Sequence, residues 1–383
     1  MAKKKIAFVV AVPITATAFL LDHFRCLLPF YEIHLIANFP NEDSKKEFEA
    51  MGMVCKSAPI LRAINVWGDL KGLFALRKIL KDEKYSSVHS VTPKAGLLAS
   101  VAGWMARVPV RIHIFTGQVW ATRKGVMRYV LKSIDKVIAL FDTNILVDGE
   151  SQRRFLIQEG VLKEGNSQVL ANGSISGVKL ERFVISDDIR TQERAKFSFK
   201  ESDVVYIFLG RLNHDKGIGE LYAAFNKLIQ ECPNARLLFY GMDEEGYIDR
   251  VKDFPNIVLG ENFFFPGLTK TPYAALQAGD VFVLPTWREG FGSSVIEAQA
   301  LGLPVITSDA YGVVDASVPE ETGLRCKVND PEGLYNCMKR YYLDAEMRKQ
   351  HGLNGRKRVE EKFNNNVVSA AWVNFYKQLL RSN

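Results

Sequence analysis

Two doubly wound α/β domains in tandem, each built on a parallel β-sheet with helices on both faces, are the architecture that the 383-residue sequence predicts. Three observations carry that prediction. Apolar runs of the buried-strand kind alternate with amphipathic stretches from the first residues onward. The alternation lapses over a Gly/Ser-rich and then strongly charged passage, and afterwards starts again with a second set of strands and helices. Finally, 47% hydrophobic and 24% charged residues, with no low-complexity tract, give each half enough apolar matter for its own core.

The first strand is read in "KKIAFVVAV", over residues 5–12. Lys3-Lys4-Lys5 before an apolar run, with Ala16-Thr17-Ala18 beyond, also has the look of a signal peptide, but Pro13 breaks the run and a buried parallel strand accounts for it. Further strands are expected at 32–38, 87–92, 110–115, 144–148 and 167–171, with "GDLKGLFALRKILKD" and "AGLLASVAGWMARV" as helices between them. These make a first domain, 1–175. After "NGSISGVKLERF" comes a linker, 176–201, and then a second domain, 202–365, with strands in "DVVYIFLGRL", "ARLLFYGM", "IVLG", "DVFVLPT" and "PVITSD". The closing "NNVVSAAWVNFYKQLLRSN" is a helix, 366–383, expected to lie back on the first domain. Two such domains face each other across a cleft at their strand C-terminal ends, where this fold class places ligands.

The net charge of +7 is unevenly spread. Residues 1–180 hold 25 Lys/Arg against 15 Asp/Glu, whereas the remainder holds 25 against 28. The surplus is densest from Arg62 to Lys136, where "VWGDLKGLFALRKILK" sets Trp67, Leu70, Leu73, Phe74 and Leu76 beside Lys71, Arg77, Lys78 and Lys81. This is either a solvated helix face or a seat for an anionic partner, such as a lipid surface or a pyrophosphate. Much of the apolar set is expected in the core, so a membrane contact would be chiefly electrostatic. No apolar run reaches the ~20 residues of a spanning helix. The five cysteines are scattered and never in CxxC, which suggests a reducing cytosol and neither disulfide nor zinc; the histidines show no metal-ligand spacing, and no Asp-x-Asp occurs.

Two turns carry the chemistry. In "FLGRLNHDKGIGEL" a buried strand ends at Leu209-Gly210, exposes Arg211, and turns to present Lys216 before a helix, so that two cations suited to a diphosphate sit at one strand end. In "DVFVLPTWREGFGSSVIEAQALG" the strand is followed by a glycine turn and a helix. Gly290 and Gly292 allow close backbone approach, and the amides of Ser293, Ser294 and Val295 lie at a helix N-terminus, which favours phosphate oxygens. The alternative is a plain capping box, with Ser293 or Ser294 as cap and Glu297 as its partner. If both turns leave one sheet edge, the cations and amides converge on one diphosphate. Glu289 and Glu297 are then free to accept hydroxyl hydrogen bonds on either side of it, from a sugar and from a ribose.

With "GRLNHDKG", the E-x7-E of Glu289 and Glu297, "GLPVITSD" and "ETGL" in this order, the chain resembles the glycosyltransferases of family four, retaining enzymes of GT-B architecture, over essentially its whole length. The resemblance implies that Arg211 and Lys216 hold the donor diphosphate, that Glu289 meets sugar hydroxyls with Gly290, Phe291, Gly292, Ser293, Ser294 and Val295 at the phosphates, and that Glu297 takes the ribose. Gly241 and the "FPGLT" loop, including Leu268 and Thr269, fall where that family seats its nucleotide base. "HIFTGQVWA" and "NGSISGVKLERF" further resemble enzymes that extend lipid-linked saccharides for bacterial O-antigen, capsule or protein glycosylation. Two places depart from the pattern. "AVPITAT" stands where a glycine-rich loop is usual, so Pro13 and Thr15 would approach the donor without glycine's freedom, and Thr116-Gly117 replaces a His-Gly pair, with His113 three residues earlier. His113 and Thr116 should point to opposite strand faces; either could touch the substrate, and His113 could equally be structural.

The implied activity is retaining transfer of a hexose or N-acetylhexosamine from a UDP-sugar to a polyprenyl-pyrophosphate-linked saccharide. It implies no metal or other cofactor, no nucleic acid partner, and a cytoplasmic protein peripheral on the inner face of the cell membrane. A nucleotide-sugar epimerase of the same architecture, or a non-catalytic module on an anionic membrane, are the alternatives; the first needs an acid/base set not evident in the sequence.

Overall fold

The computed structural model describes residues 3–61 and 65–381, so Arg62 at the head of the basic stretch lies outside the described residues. They form two units: one runs to Ser176 and includes the stretch from Asn365 onward, and the other is Gly177–Asn364. Within 176–201, the passage read as a linker, Asp187–Ala195 is helical and belongs to the second unit, where Arg190 and Arg194 both pair with Asp280, at 2.5 and 3.0 Å.

The first unit holds seven parallel strands: β1 Lys5–Val9, β2 Glu32–Ala37, β3 Val54–Ser57, β4 Ser87–Val91, β5 Val110–Phe115, β6 Asn144–Val147 and β7 Ser167–Gln168, in the order β3-β2-β1-β4-β5-β6-β7. The second holds β8 Val204–Leu209, β9 Ala235–Tyr240, β10 Phe263–Gly267, β11 Val281–Leu284, β12 Val305–Ser308 and β13 Gly323–Cys326, in the order β10-β9-β8-β11-β12-β13. In both sheets the chain works outward to one edge, then returns beside the first strand. The strand order therefore reverses between β1 and β4 and between β8 and β11, and the crevice at such a switch point is where doubly wound sheets bind ligands. β1, β8 and β11 are apolar on both faces because helices cover both faces, whereas central β4 buries Ser87, His89 and Ser90.

Departures from the expected elements have local causes. "IVLG" is a turn whose Val258 and Leu259 are exposed, and the strand follows at Phe263–Gly267. β3 and β13 go unread in sequence because each is short, one half-exposed at an edge and the other beginning with a glycine. A Cβ on Gly323 would sit 2.3 Å from the Val305 carbonyl oxygen. "AVPITAT" is not a loop: Pro13 opens the helix Pro13–Phe19 at its first turn, where its missing N–H costs nothing. The helix Val66–Glu83 is split in character. Leu76 is buried, whereas Trp67 (82% exposed), Leu70 and Phe74 stand in solvent, so less of the apolar set is core than its pattern suggests.

The C-terminal helix Asn365–Arg381 packs on the first unit, as expected. Trp372 stacks on the imidazole of His23 (4.2 Å between centroids) and on that of His89 (5.0 Å), and the Tyr376 hydroxyl lies 2.6 Å from His89 Nδ1. Among the described residues no helix is long and apolar enough to cross a membrane.

Candidate active site

β8 and β11 are paired in register at Tyr206–Val281 and Ile207–Phe282, so the turns that follow them leave the sheet side by side at the switch point of the second unit. They are tied together twice. The Asp215 carbonyl accepts from the Trp287 amide (2.8 Å) and from the Thr286 hydroxyl (2.7 Å), while its carboxylate accepts from Arg288 Nε (2.9 Å) and Nη2 (2.6 Å). One residue on, Lys216 Nζ donates to Glu289 Oε1. The dipeptide Asp215-Lys216 thus faces Arg288-Glu289 with every charge answered, and the four side chains are only 14 to 21% exposed. The turns close this tightly because residue 217 is glycine: it has φ +71°, and a Cβ there would lie 2.1 Å from the Pro285 carbonyl oxygen.

The predicted residues are therefore only partly brought together. Lys216 and Glu289 meet, so the Glu289 carboxylate is engaged by a lysine rather than free. Arg211, more than half exposed, pairs instead with Glu244 beyond β9, at 3.2 Å, and Asn213 donates to the same carboxylate at 2.8 Å. The helix Ser293–Ala300 starts from Gly292 (φ +94°) with no side-chain cap, so the capping-box alternative is not formed. The Val295 amide donates to the Gly292 carbonyl (2.9 Å), which leaves Ser293 and Ser294 as the amides of the open first turn. The Phe291 side chain is buried against Phe363 in the core. Gly290 lies beneath the turn after β12: a Cβ on Gly312 would fall 2.3 Å from the Glu289 carbonyl oxygen and 2.8 Å from that of Gly290. This packing fixes the peptide that carries Glu289.

Glu297 is half-buried one turn into that helix. Burial pushes its carboxyl up to about 7, and the Arg182 charge, which pulls the other way, does not offset it. Gly241 ends β9 in a corner only a glycine can fill, since a Cβ would lie 1.7 Å from the Gly210 carbonyl oxygen. Its amide donates to Gly267 (2.9 Å), and the exposed Leu268 and the Thr269 hydroxyl, which accepts from the Thr271 amide (3.1 Å), follow directly. Gly241, Leu268 and Thr269 thus share one end of the sheet edge on which Arg211 also lies.

In the first unit Pro13 and Thr15 follow β1 and Thr116-Gly117 follow β5, with the β4 turn between them. His113 is not at that edge. It is buried on β5, its Nδ1 is 2.8 Å from the Ser90 hydroxyl, and its ring fills the space where a Cβ on Gly96 would be (2.5 Å), so it packs the core. Burial lowers its pKa to about 3, and the ring is neutral.

Sequence reading missed Asp215, Arg288, Glu244 and Arg182. A signal for the first two was present: acid-base at 215-216 and base-acid at 288-289 are complementary dipeptides on two turns already expected to adjoin. Glu244 comes from a remote segment and had none, and Arg182, although inside "NGSISGVKLERF", had no spacing that ties it to Glu297.

The Glycosyl transferases group 1 family model matches residues 189–358. The chain is 31% identical to a capsular polysaccharide biosynthesis glycosyltransferase, CapM, of Staphylococcus aureus, over 91% of this chain and 90% of that protein. It is 27% identical to an Escherichia coli UDP-Gal:alpha-D-GlcNAc-diphosphoundecaprenol alpha-1,3-galactosyltransferase, over 73% of this chain and 72% of that one. Among solved structures, Anabaena HepE in complex with UDP and glucose has the same two-domain fold, with a TM-score of 0.80 at 16% identity, over 98% of this chain and all of the other.

Proposed function

The chain belongs to the group 1 glycosyltransferases, and on that premise we propose that it moves a hexose or N-acetylhexosamine, with retention, from a UDP-sugar to a saccharide carried on a polyprenyl diphosphate. It is a transferase of GT-B fold acting in capsule or lipid-linked polysaccharide biosynthesis. The observation that carries the finer reading is the pair of locked turns at the β8/β11 switch point, which set Lys216, Glu289 and the open amides of Ser293 and Ser294 at one edge. In this reading the acceptor hydroxyl attacks the anomeric carbon on the face from which the diphosphate departs. The bond from that carbon to the diphosphate oxygen breaks, and the leaving oxygen takes the hydroxyl proton. Lys216 and Arg211 place fixed positive charge where the diphosphate gathers negative charge, a contact typically worth ~3 to 4 kcal/mol. No metal is assigned a part.

The test is turnover of a panel of nucleotide sugars with a polyprenyl-diphosphate-linked acceptor, preceded by their effect on thermal unfolding, since a tight donor stabilises the fold by mass action. Transfer with retention that EDTA leaves intact is expected. Sugar nucleotide isomerised without acceptor would favour an epimerase, and a strict need for manganese or magnesium would overturn the metal-free mechanism.

Glu297 gives this reading a pH signature. A carboxylate is a stronger acceptor for ribose hydroxyls than a carboxylic acid, and this one ionises at about 7 in the free protein. Protonation must therefore be reversed for donor to bind below that value. The dissociation constant of UDP should rise by up to about tenfold per pH unit below pH 7 and be flat above it. Glu297→Gln should bind more weakly at pH 8 and lose the pH dependence. A wild-type profile flat from pH 6 to 8 would remove Glu297 from the ribose.

The basic first unit is assigned the membrane surface that carries the acceptor. Lys71, Lys78, Lys81 and Lys84 all stand exposed on or just beyond the helix Val66–Glu83. Each contributes at most about 1 kcal/mol near anionic lipid, screened over ~8 Å at physiological salt. Co-sedimentation with vesicles containing anionic lipid should weaken with salt and with all four lysines changed to Gln. Binding indifferent to both would leave the charge as a solvated surface.

A further inference from the structure

We propose that a crevice in the first unit, between the start of the helix Pro93–Met105 and the middle of the helix Gly125–Phe141, seats the isoprenoid segment next to the diphosphate of the acceptor; this rests on the lipid-linked acceptor proposed above. The crevice has a volume of about 110 Å³ and is walled by Leu97, Val119, Leu131 and Ile134 over a floor of Trp120. Trp120 is rigidly placed. Its indole N–H donates to Asp135 (2.7 Å), one face stacks on Phe155, and the Arg128 guanidinium and Lys132 ammonium lie 5.1 and 5.5 Å from the ring centre. A cavity of this chemistry takes a branched hydrocarbon in preference to water.

The surroundings suit a chain that enters from a membrane. The Gly125–Phe141 helix leaves Val126, Met127, Tyr129 and Val130 in solvent, and Met127, Leu131 and Ile134 share one helical face that runs from solvent down into the crevice. Across the intervening helix start, Trp67, Leu70 and Phe74 are exposed as well. All these helix starts lie at the carboxyl edge of the first sheet, because each helix follows its strand in a parallel βαβ unit, and the crevice adjoins the β4 turn at the switch point. Charge complements this apolar path. Lys94 is at the mouth, joined to Asp69 at 2.5 Å, and Arg128 and Lys132 share Glu159 at 2.8 and 2.6 Å, so the surplus for an anion is carried by Arg123 and Lys124, exposed in the turn after Trp120, in a stretch with no acid from Thr116 to Ile134. Asp135, the one acid in the lining, is buried and accepts from the Trp120 indole, and burial pushes its carboxyl up to about 7, so its charge near neutral pH is reduced but not removed. An apolar slot beside which cations outnumber acids suits a polyprenyl diphosphate better than a neutral lipid.

The experiment is calorimetric titration of the whole chain with farnesyl diphosphate, dodecyl diphosphate and inorganic pyrophosphate, below the concentrations at which the lipids form micelles. Farnesyl diphosphate should bind at least about tenfold more tightly than pyrophosphate, and more tightly than the dodecyl compound. Leu131→Trp, which fills the crevice, and Val119→Asp, which charges its rim, should each abolish that preference while leaving the affinity for UDP unchanged. The second variant and the UDP control guard against loss of fold. Equal binding of farnesyl diphosphate and pyrophosphate by wild type, equal binding of the dodecyl and farnesyl chains, or a preference that survives both substitutions would each overturn the proposal. Transfer assays keep the two readings apart: transfer to a lipid-linked acceptor without farnesyl preference refutes the crevice alone. Farnesyl preference in a protein that transfers to no lipid-linked acceptor refutes the acceptor assignment and leaves an isoprenoid-diphosphate site.

Discussion

Glu289→Gln is expected to yield a folded protein that has lost most of its transfer activity. The carboxylate has two tasks in the arrangement described: it holds Lys216 between the two turns, and it is the acceptor assigned to sugar hydroxyls. An amide of the same shape keeps one acceptor oxygen but presents NH₂ donors where the second oxygen was, toward a lysine that is itself a donor. Each hydrogen bond to a charged group typically contributes ~1.5 to 3 kcal/mol, so losing one of them lowers kcat/KM by roughly 10- to 160-fold. Lys216, only 17% exposed, is also left without its counter-charge, which should lower the melting temperature of the free protein. Added UDP should restore most of that loss, because the diphosphate supplies the missing anion. Near-wild-type turnover by folded Glu289→Gln would remove it from the sugar. A melting temperature that UDP fails to raise would separate Lys216 from the diphosphate.

The sequence is informative about this site where function is carried by spacing within one turn, and silent where it is carried by contacts between segments. Strand, glycine turn and helix around Glu289 and Glu297 are legible because a buried strand, Gly290 and Gly292, and a short apolar helix each leave a local pattern. That Arg211 pairs with Glu244, that Arg182 faces Glu297, and that Gly241 is pressed on the Gly210 carbonyl depend on which strands adjoin. Such contacts join residues with no local periodicity in common. His113 shows the converse. A histidine on a strand can point to a ligand or to the core, and only the packing of Gly96 and Ser90 around its ring decides the matter. The unread strands β3 and β13 failed for a related reason: each is a four-residue edge strand, β3 too exposed and β13 opening on Gly323, and neither leaves a readable alternation.

Lys216→Ala and Arg211→Ala should both slow transfer, and unequally, because the two cations are held so differently. Lys216 is fixed by Glu289 in a turn closed over Gly217, so its charge is in place before the donor arrives, and a preorganised contact of this kind costs about 10²- to 10³-fold in kcat when removed. Arg211 is exposed and paired with Glu244, so it must exchange that carboxylate for the diphosphate, and part of its attraction is offset by the partner it gives up. Its loss should appear more in KM for the donor than in kcat, and Glu244→Gln, which releases it, should lower that KM. If both cations serve one diphosphate, the double variant should lose less than the product of the single losses, since residues sharing a partner couple. Strict multiplication of the two effects would place them on separate groups. An Arg211→Ala variant slower than Lys216→Ala would mean that the ion pair with Glu244 dissolves entirely on donor binding, and that Arg211 rather than Lys216 faces the departing oxygen.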